Sequence, residues 1–184
     1  GEHLLSDNLL SRETAAAEMR AVGFENPRVT DPVYHYQLCW RPGERPSRAQ
    51  WEEAARKTIQ DLGFGEHQFL VVAHDDREHF HVHVLINRIH PETYKAHYPA
   101  FSKRELDKSL REIEHKQGWQ HSPGLYRWDA QLGRAVKNSR EDMAAHREQG
   151  RRPDVGRVAQ KLEHFQDVES LEAYAKGTPA KELR

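Results

Sequence analysis

Two runs rich in Phe, Val, Leu and Ile, Gln68 to His74 and Phe80 to Ile89, flank the polar tetrapeptide Asp75-Asp76-Arg77-Glu78. Short apolar runs of strand-favouring residues on either side of a turn-forming spacer predict an antiparallel hairpin. In the second run Phe80, Val82, Val84 and Ile86 share one face, and His81, His83, Leu85 and Asn87 share the other, because successive strand side chains point to opposite sides. The histidines therefore face away from the main apolar layer.

The flanking segments extend this pattern. From Val33 to Arg41, Tyr34, Tyr36, Leu38 and Trp40 alternate with His35, Gln37, Cys39 and Arg41, which predicts a further strand with one polar face. Pro46-Ser47-Arg48-Ala49-Gln50 resembles a capping box, and Trp51, Ala54, Ala55, Thr58, Ile59 and Leu62 then keep helical spacing until Gly63. Ser11 to Val22 reads as a shorter helix stopped by Gly23. Another starts at Ser102, carries Leu106, Leu110 and Ile113 on one side, and ends at Gly118. Beyond Trp119 the periodicity weakens, placing a soft boundary near Trp128, with short helices around Ser139 to Gln149, Val155 to Phe165 and Val168 to Ala175. The expected fold is α+β, with a central antiparallel sheet and helices on the face opposite the histidines. Residues 1–128 would form the core and residues 129–184 a helical C-terminal extension.

At 184 residues the chain is long enough for one domain with an appendage. No apolar run approaches the roughly 20 residues that span a bilayer, and the first residues lack a secretory pattern, so a cytoplasmic protein with no membrane insertion is expected. Cys39 is the one cysteine, which excludes an intrachain disulfide and cysteine-rich zinc modules. A net charge of -1 excludes a protein that coats nucleic acid by bulk electrostatics. Any nucleic-acid binding must use a local groove.

Thirteen histidines are present, and His74, His79, His81 and His83 fall within ten positions. His81 and His83, at i and i+2 on a strand, project from one face, and the hairpin brings His74 towards them, so one metal could be shared. Three neutral imidazoles with an open position make a catalytic rather than a closed site. His79 falls on the same strand face and competes with His74 as third ligand. The alternative is a polar strand face that meets solvent or DNA without metal.

His74-x-Asp76, followed by His81-Val82-His83 and Asn87, resembles the third motif of conjugative relaxases in the HUH endonuclease superfamily. Tyr34-His35, Pro42-Gly43-Glu44, Leu62-Gly63-Phe64-Gly65-Glu66-His67-Gln68 and Ile86-Asn87-Arg88-Ile89-His90-Pro91 are similar to MobP-type relaxases, particularly those of IncP-like plasmids and more distantly of Ti plasmids. Leu106-Asp107, Ile113-Glu114, Gly118-Trp119 and Val168-Glu169-Ser170-Leu171 continue the likeness. The resemblance implies an HUH-endonuclease palm and a mobilisation nuclease. Such an enzyme nicks one DNA strand at a plasmid or integrative-element origin of transfer by tyrosine attack, and pilots that strand through type IV secretion. It further implies His74, His81 and His83 as metal ligands, with Asp76, Asn87 and Cys39 as catalytic candidates. Cys39 stands where relatives carry a serine thought to contact DNA. One divalent ion is implied, Mg²⁺ or Mn²⁺ in use, with Zn²⁺, Ni²⁺ or Co²⁺ able to bind. Trp40, Arg41, Arg88 and Lys95 are the DNA-binding candidates for single-stranded origin DNA. Relaxosome accessory proteins and a type IV coupling protein are the implied partners.

In MobP relaxases the nucleophilic tyrosine lies near the N-terminus, whereas this sequence has no tyrosine before Tyr34, and Tyr34 and Tyr36 lie within the strand of the second motif. The expectation is a chain that begins after the first motif and binds metal and DNA without nicking. Two other readings compete. One is a rolling-circle replication initiator using Tyr94 and Tyr98, although Pro91 and Pro99 bracket that pair and favour a loop crossing the site. The other is a noncatalytic DNA-binding fragment that keeps the relaxase scaffold.

Overall fold

The computed structural model describes residues 3–75, 79–148 and 158–160. The elements run β1 (His3–Asp7), α1 (Ala15–Phe24), β2 (Val33–Cys39), α2 (Arg48–Asp61), β3 (Phe69–His74), β4 (His81–Asn87), α3 (Ser102–Gln117), β5 (Tyr126–Asp129), β6 (Arg134–Lys137), α4 (Arg140–Glu148) and β7 (Val158–Gln160). The main sheet has the order β1-β3-β4-β2-β7, with every neighbouring pair antiparallel. The expected α+β class and the adjoining strands near Val33, Phe69 and Phe80 are both present.

Alternation in the strands decides the layering. Tyr34, Tyr36, Leu38, Val71, Ala73, Val82, Val84 and Ile86 pack with Trp51, Ala54, Ala55 and Ile59 of α2 and with Leu106, Leu110 and Ile113 of α3 in one buried cluster. Full burial of such a Leu, Ile or Val stabilises by about 1.5–3 kcal/mol relative to exposure, so this face sets the register. On the opposite face Leu70 and Val72 form a smaller cluster. There Asn87 donates from Nδ2 to the Met19 carbonyl of α1 at 2.9 Å.

Local chemistry explains the helix limits. Ser47 accepts from the Gln50 amide and the Gln50 side chain answers the Ser47 amide, the reciprocal capping box read from the sequence. Helix α3 starts at Ser102 and is closed by Gly118 at φ 74°, both as read; its N-cap, Phe101, is left-handed and has no side-chain cap. Helix α1 starts at Ala15 rather than Ser11, whose hydroxyl instead accepts from the Thr14 amide, and it continues to Phe24.

The C-terminal reading changes most. A boundary at Trp128 falls inside β5, which pairs with β6 from Asp129↔Arg134 to Tyr126↔Lys137. Val158–Gln160, expected in a helix, is a strand that pairs with Tyr36–Leu38 of β2. The helix expected around Ser139 is present as α4, and the one around Val168 lies outside the described residues. Short amphipathic segments do not distinguish strand from helix by periodicity alone; the exposed edge of β2 supplies the missing context.

Candidate functional site

The antiparallel register places His74 directly opposite His81 and Val72 opposite His83. Ring centroids are 5.3 Å apart for His74 and His81, 5.1 Å for His74 and His83, and 5.3 Å for His81 and His83. Two imidazoles bound to one tetrahedral ion through bonds of about 2.0–2.1 Å have centres about 5 Å apart, so the triangle has the size of a shared site. The rings are buried, at 6%, 3% and 4% exposure. Nε2 of His74 is buried without a hydrogen-bond partner, a lone polar atom that a ligand would satisfy. The ring planes of His74 and His81 are stacked at 16°. Among the described residues no group of three or more His, Cys, Asp or Glu side chains is placed to hold a metal ion as it stands. The triangle has the spacing of a shared site without its ligand geometry.

The third ring is braced from β2. His83 stacks on His35 with centroids 5.4 Å apart and planes at 10°, and its Nδ1 lies 3.2 Å from His35 Nε2 and 3.1 Å from Gln37 Nε2. Gln37 Nε2 also lies 3.3 Å from His83 Nε2, so both ring nitrogens face β2 side chains and the ring is held in orientation. Cys39 is half-buried opposite His81 in the register. His35 and Gln37 were not singled out from the sequence, yet the signal was there: they occupy the polar face of β2, and pairing with β4 brings that face against His83.

His79 is less integrated. Its ring is 6.2 Å from that of His81, and its carbonyl lies 3.4 Å from His81 Nδ1. Asp76 lies outside the described residues. Asn87 stands six residues along β4 from His81, about 20 Å at the strand rise of about 3.3 Å per residue. Besides its bond to Met19 it donates to Gln68 Oε1 at 3.0 Å and accepts from the Ile89 amide at 3.0 Å. This side chain is buried scaffold, away from the triad.

The four DNA candidates do not converge. Trp40 is 4% exposed and meets Phe80 edge-on, which makes it a core residue with no face open to a base. Arg41, beside the triad end of β2, donates from Nη2 to the His121 carbonyl at 3.0 Å and to Ser122 Oγ at 3.4 Å. Arg88 is buried beyond the far end of β4, and Lys95 is exposed on the loop that follows. That loop does not cross the histidine site as expected: it packs at the opposite end of the sheet, tied by the His97 amide to the Arg88 carbonyl at 2.9 Å.

The MobA/VirD2-like relaxase nuclease-domain model matches residues 1–119 of this sequence. The chain belongs to the MobA/VirD2-like relaxase family. Protein MobA of Acidithiobacillus ferrooxidans is 40% identical over 104 residues, which cover 55% of this chain and 25% of that protein. A protein TraI of Escherichia coli is 30% identical over 131 residues, 71% of this chain and 18% of its own length. The group II intron-interrupted relaxase LtrB of Lactococcus lactis subsp. cremoris is 33% identical over 54 residues, 29% of this chain and 10% of that protein. The chain thus spans a quarter or less of the length of these relaxases. No solved structure matches it. Among the described residues no helix is long and apolar enough to cross a membrane.

The relaxase match includes every member of the histidine triad, but the tyrosines raised from the sequence lie elsewhere. Tyr34 and Tyr36 are buried on the helix-covered face, where Tyr36 shares a 2.8 Å hydrogen bond with Thr58. Burial pushes both phenols above their ordinary range, away from the ionised form a nucleophile requires. Tyr98 sits under no histidine of the triad; its ring packs on Arg88, past the end of β4.

Proposed function

We propose that this chain is the metal- and DNA-holding body of a conjugative relaxase that nicks one strand at an origin of transfer. The observation carrying this reading is the buried triangle of His74, His81 and His83, with an unsatisfied His74 nitrogen inside the family's matching segment. These three residues would hold a divalent ion, Mg²⁺ or Mn²⁺ in use, with Zn²⁺, Ni²⁺ or Co²⁺ as binding substitutes. When bound, the ion polarises the scissile phosphate and offsets charge developing in the transition state. His35 and Gln37 hold the His83 ring against β2, and Cys39, opposite His81, borders the same surface. Burial of the triad limits the water that would compete for the phosphate.

In the proposed reaction a tyrosine hydroxyl attacks phosphorus. The O–P bond forms as the bond to the neighbouring 3′-oxygen breaks, giving a 5′-phosphotyrosine, while the hydroxyl proton is lost and the leaving oxygen becomes a 3′-hydroxyl. Tyr34 and Tyr36 face the wrong side, and Tyr94 and Tyr98 follow the remote end of β4, which disfavours the initiator reading. We assign the attack to a tyrosine on another segment that approaches the triad. Relaxosome accessory proteins and a type IV coupling protein are the partners in this reading.

A denaturing-gel adduct assay tests it. A full-length relaxase that contains these residues should attach covalently to single-stranded origin DNA in the presence of Mn²⁺, and its His81→Ala variant should not. Residues 1–184 alone should bind that DNA without an adduct. An adduct from this chain would overturn the nucleophile assignment, and DNA binding without cleavage by the full-length form would favour the noncatalytic fragment.

A further inference from the structure

We propose that residues 94–104 form a second single-stranded DNA contact, a platform that stacks unpaired bases at the end of the sheet remote from the triad. This deepens the relaxase reading and rests on it. The platform's exposed aromatic residues are Tyr94 at 44%, Tyr98 at 59% and Phe101 at 71%, and Phe24, at the end of α1, is 74% exposed. Asn26, just past that helix, donates to the Tyr94 carbonyl at 2.9 Å and ties the two segments together.

Two of the rings pack against guanidinium groups. The buried Arg88 guanidinium lies 4.9 Å from the Tyr34 ring and 5.1 Å from the Tyr98 ring, so one cation is sandwiched between a core tyrosine and an exposed one. Arg104 packs over Phe101 at 4.9 Å. Tyr94 and Phe101 both have φ 54°, a left-handed backbone that disfavours residues with a Cβ. The fold thus adopts an unfavourable backbone at two aromatic positions that remain exposed, the reverse of what core packing alone would select.

Charge identifies the occupant. Residues 94–104 contain Lys95, Lys103 and Arg104 and no Asp or Glu, in a chain whose net charge is -1. Interleaved aromatics and cations suit an unpaired strand, whose bases stack while its phosphates meet the positive groups. From His81 to Asn87 is six residues, about 20 Å. At the duplex rise of about 3.4 Å per nucleotide or more, a strand engaged at the triad reaches the platform within about six nucleotides.

Fluorescence anisotropy with labelled (dT)20 and a duplex of the same length, at matched salt, tests the assignment. The unaltered chain should prefer (dT)20. Tyr98→Ala with Phe101→Ala should weaken (dT)20 binding about ten-fold or more, while Tyr98→Trp with Phe101→Trp should retain it. Lys95→Ala with Lys103→Ala and Arg104→Ala should reduce the salt slope by about 2. Thermal melts of all three variants should match the parent. Unchanged (dT)20 affinity in the folded double-alanine variant, or equal duplex binding by the parent, would overturn the platform and leave the patch to a protein partner. Failure of the unaltered chain to bind any single strand would overturn the relaxase reading itself.

Discussion

The sheet carries a histidine cluster at each end, and the two differ in where their ring nitrogens go. At one end His74, His81 and His83 contact one another, His83 also meets His35 and Gln37, and Nε2 of His74 has no hydrogen-bond partner. At the other, His67 Nδ1 lies 2.8 Å from the Asn87 carbonyl and His97 Nε2 lies 2.8 Å from the Leu62 carbonyl. His90 Nδ1 accepts from the Glu92 and Thr93 amides. Rings are as close there, 5.2 Å between His67 and His90, yet their polar atoms are used to staple loops. Gly63 belongs to that packing: it has φ 81°, and a Cβ on it would lie 2.9 Å from His97 Nε2. Clustering alone therefore does not make a site; unspent donor capacity does.

The largest expected effect breaks the comparison at the triad. His81→Ala with His83→Ala should lower Mn²⁺ affinity on the order of 100-fold or more by calorimetry, and should remove the metal-induced rise in melting temperature. His67→Ala with His97→Ala should leave the isotherm intact. Metal binding that survives the first pair and vanishes with the second would reverse the two roles.

Next in size is the stability of the stapled end. Asn87→Ala and His67→Ala each leave buried backbone groups unpaired and should cost about 1–3 kcal/mol in urea unfolding, with metal affinity within two-fold of the parent. A stable Asn87→Ala protein that binds no metal would restore the catalytic role first expected for that residue.

A smaller effect appears against pH. Burial lowers the His67 pKa, and the charge of neighbouring His90 and His97 adds to the shift, outweighing the Asn87 carbonyl. The folded state then holds this proton less tightly than the unfolded chain. The stabilisation is complete above the free-imidazole value near 6.5 and is lost as pH falls through the lower folded value. In metal-free protein, His67→Gln should flatten that part of the stability profile, whatever its effect on the plateau; an unaltered slope would show that His67 titrates as in the unfolded chain. Smallest of all, His79→Ala should change metal affinity by less than about three-fold, as its 6.2 Å offset suggests.

Much of the arrangement was legible in the sequence where side-chain period and burial agree. Alternation in β2 and β4 separated core from polar face, and Ser47 and Gln50 announced α2 through a local interaction. What escaped was set by partners distant in sequence. Strand β1, His3–Asp7, was not anticipated, and it pairs with Phe69–Ala73; β7 exists as the neighbour of β2. Trp40 figured as a base-stacking candidate although alternation set it with Tyr34, Tyr36 and Leu38 on the apolar face, and Phe80 and the helix-covered core enclose it. For the candidate site, spacing correctly brought His74 towards His81 and His83. The bracing by His35 required the β2–β4 register, and Asn87 stood close in the motif but far in space because a strand is extended.

The His74↔His81 pairing has an implication for how such chains can vary in length. Within β3 or β4 a single inserted or deleted residue turns every side chain beyond it to the other face, sending a ligand candidate into the apolar layer and a valine out of it. Related sequences should therefore keep the residue number of both strands, and one-residue insertions within either should abolish metal binding.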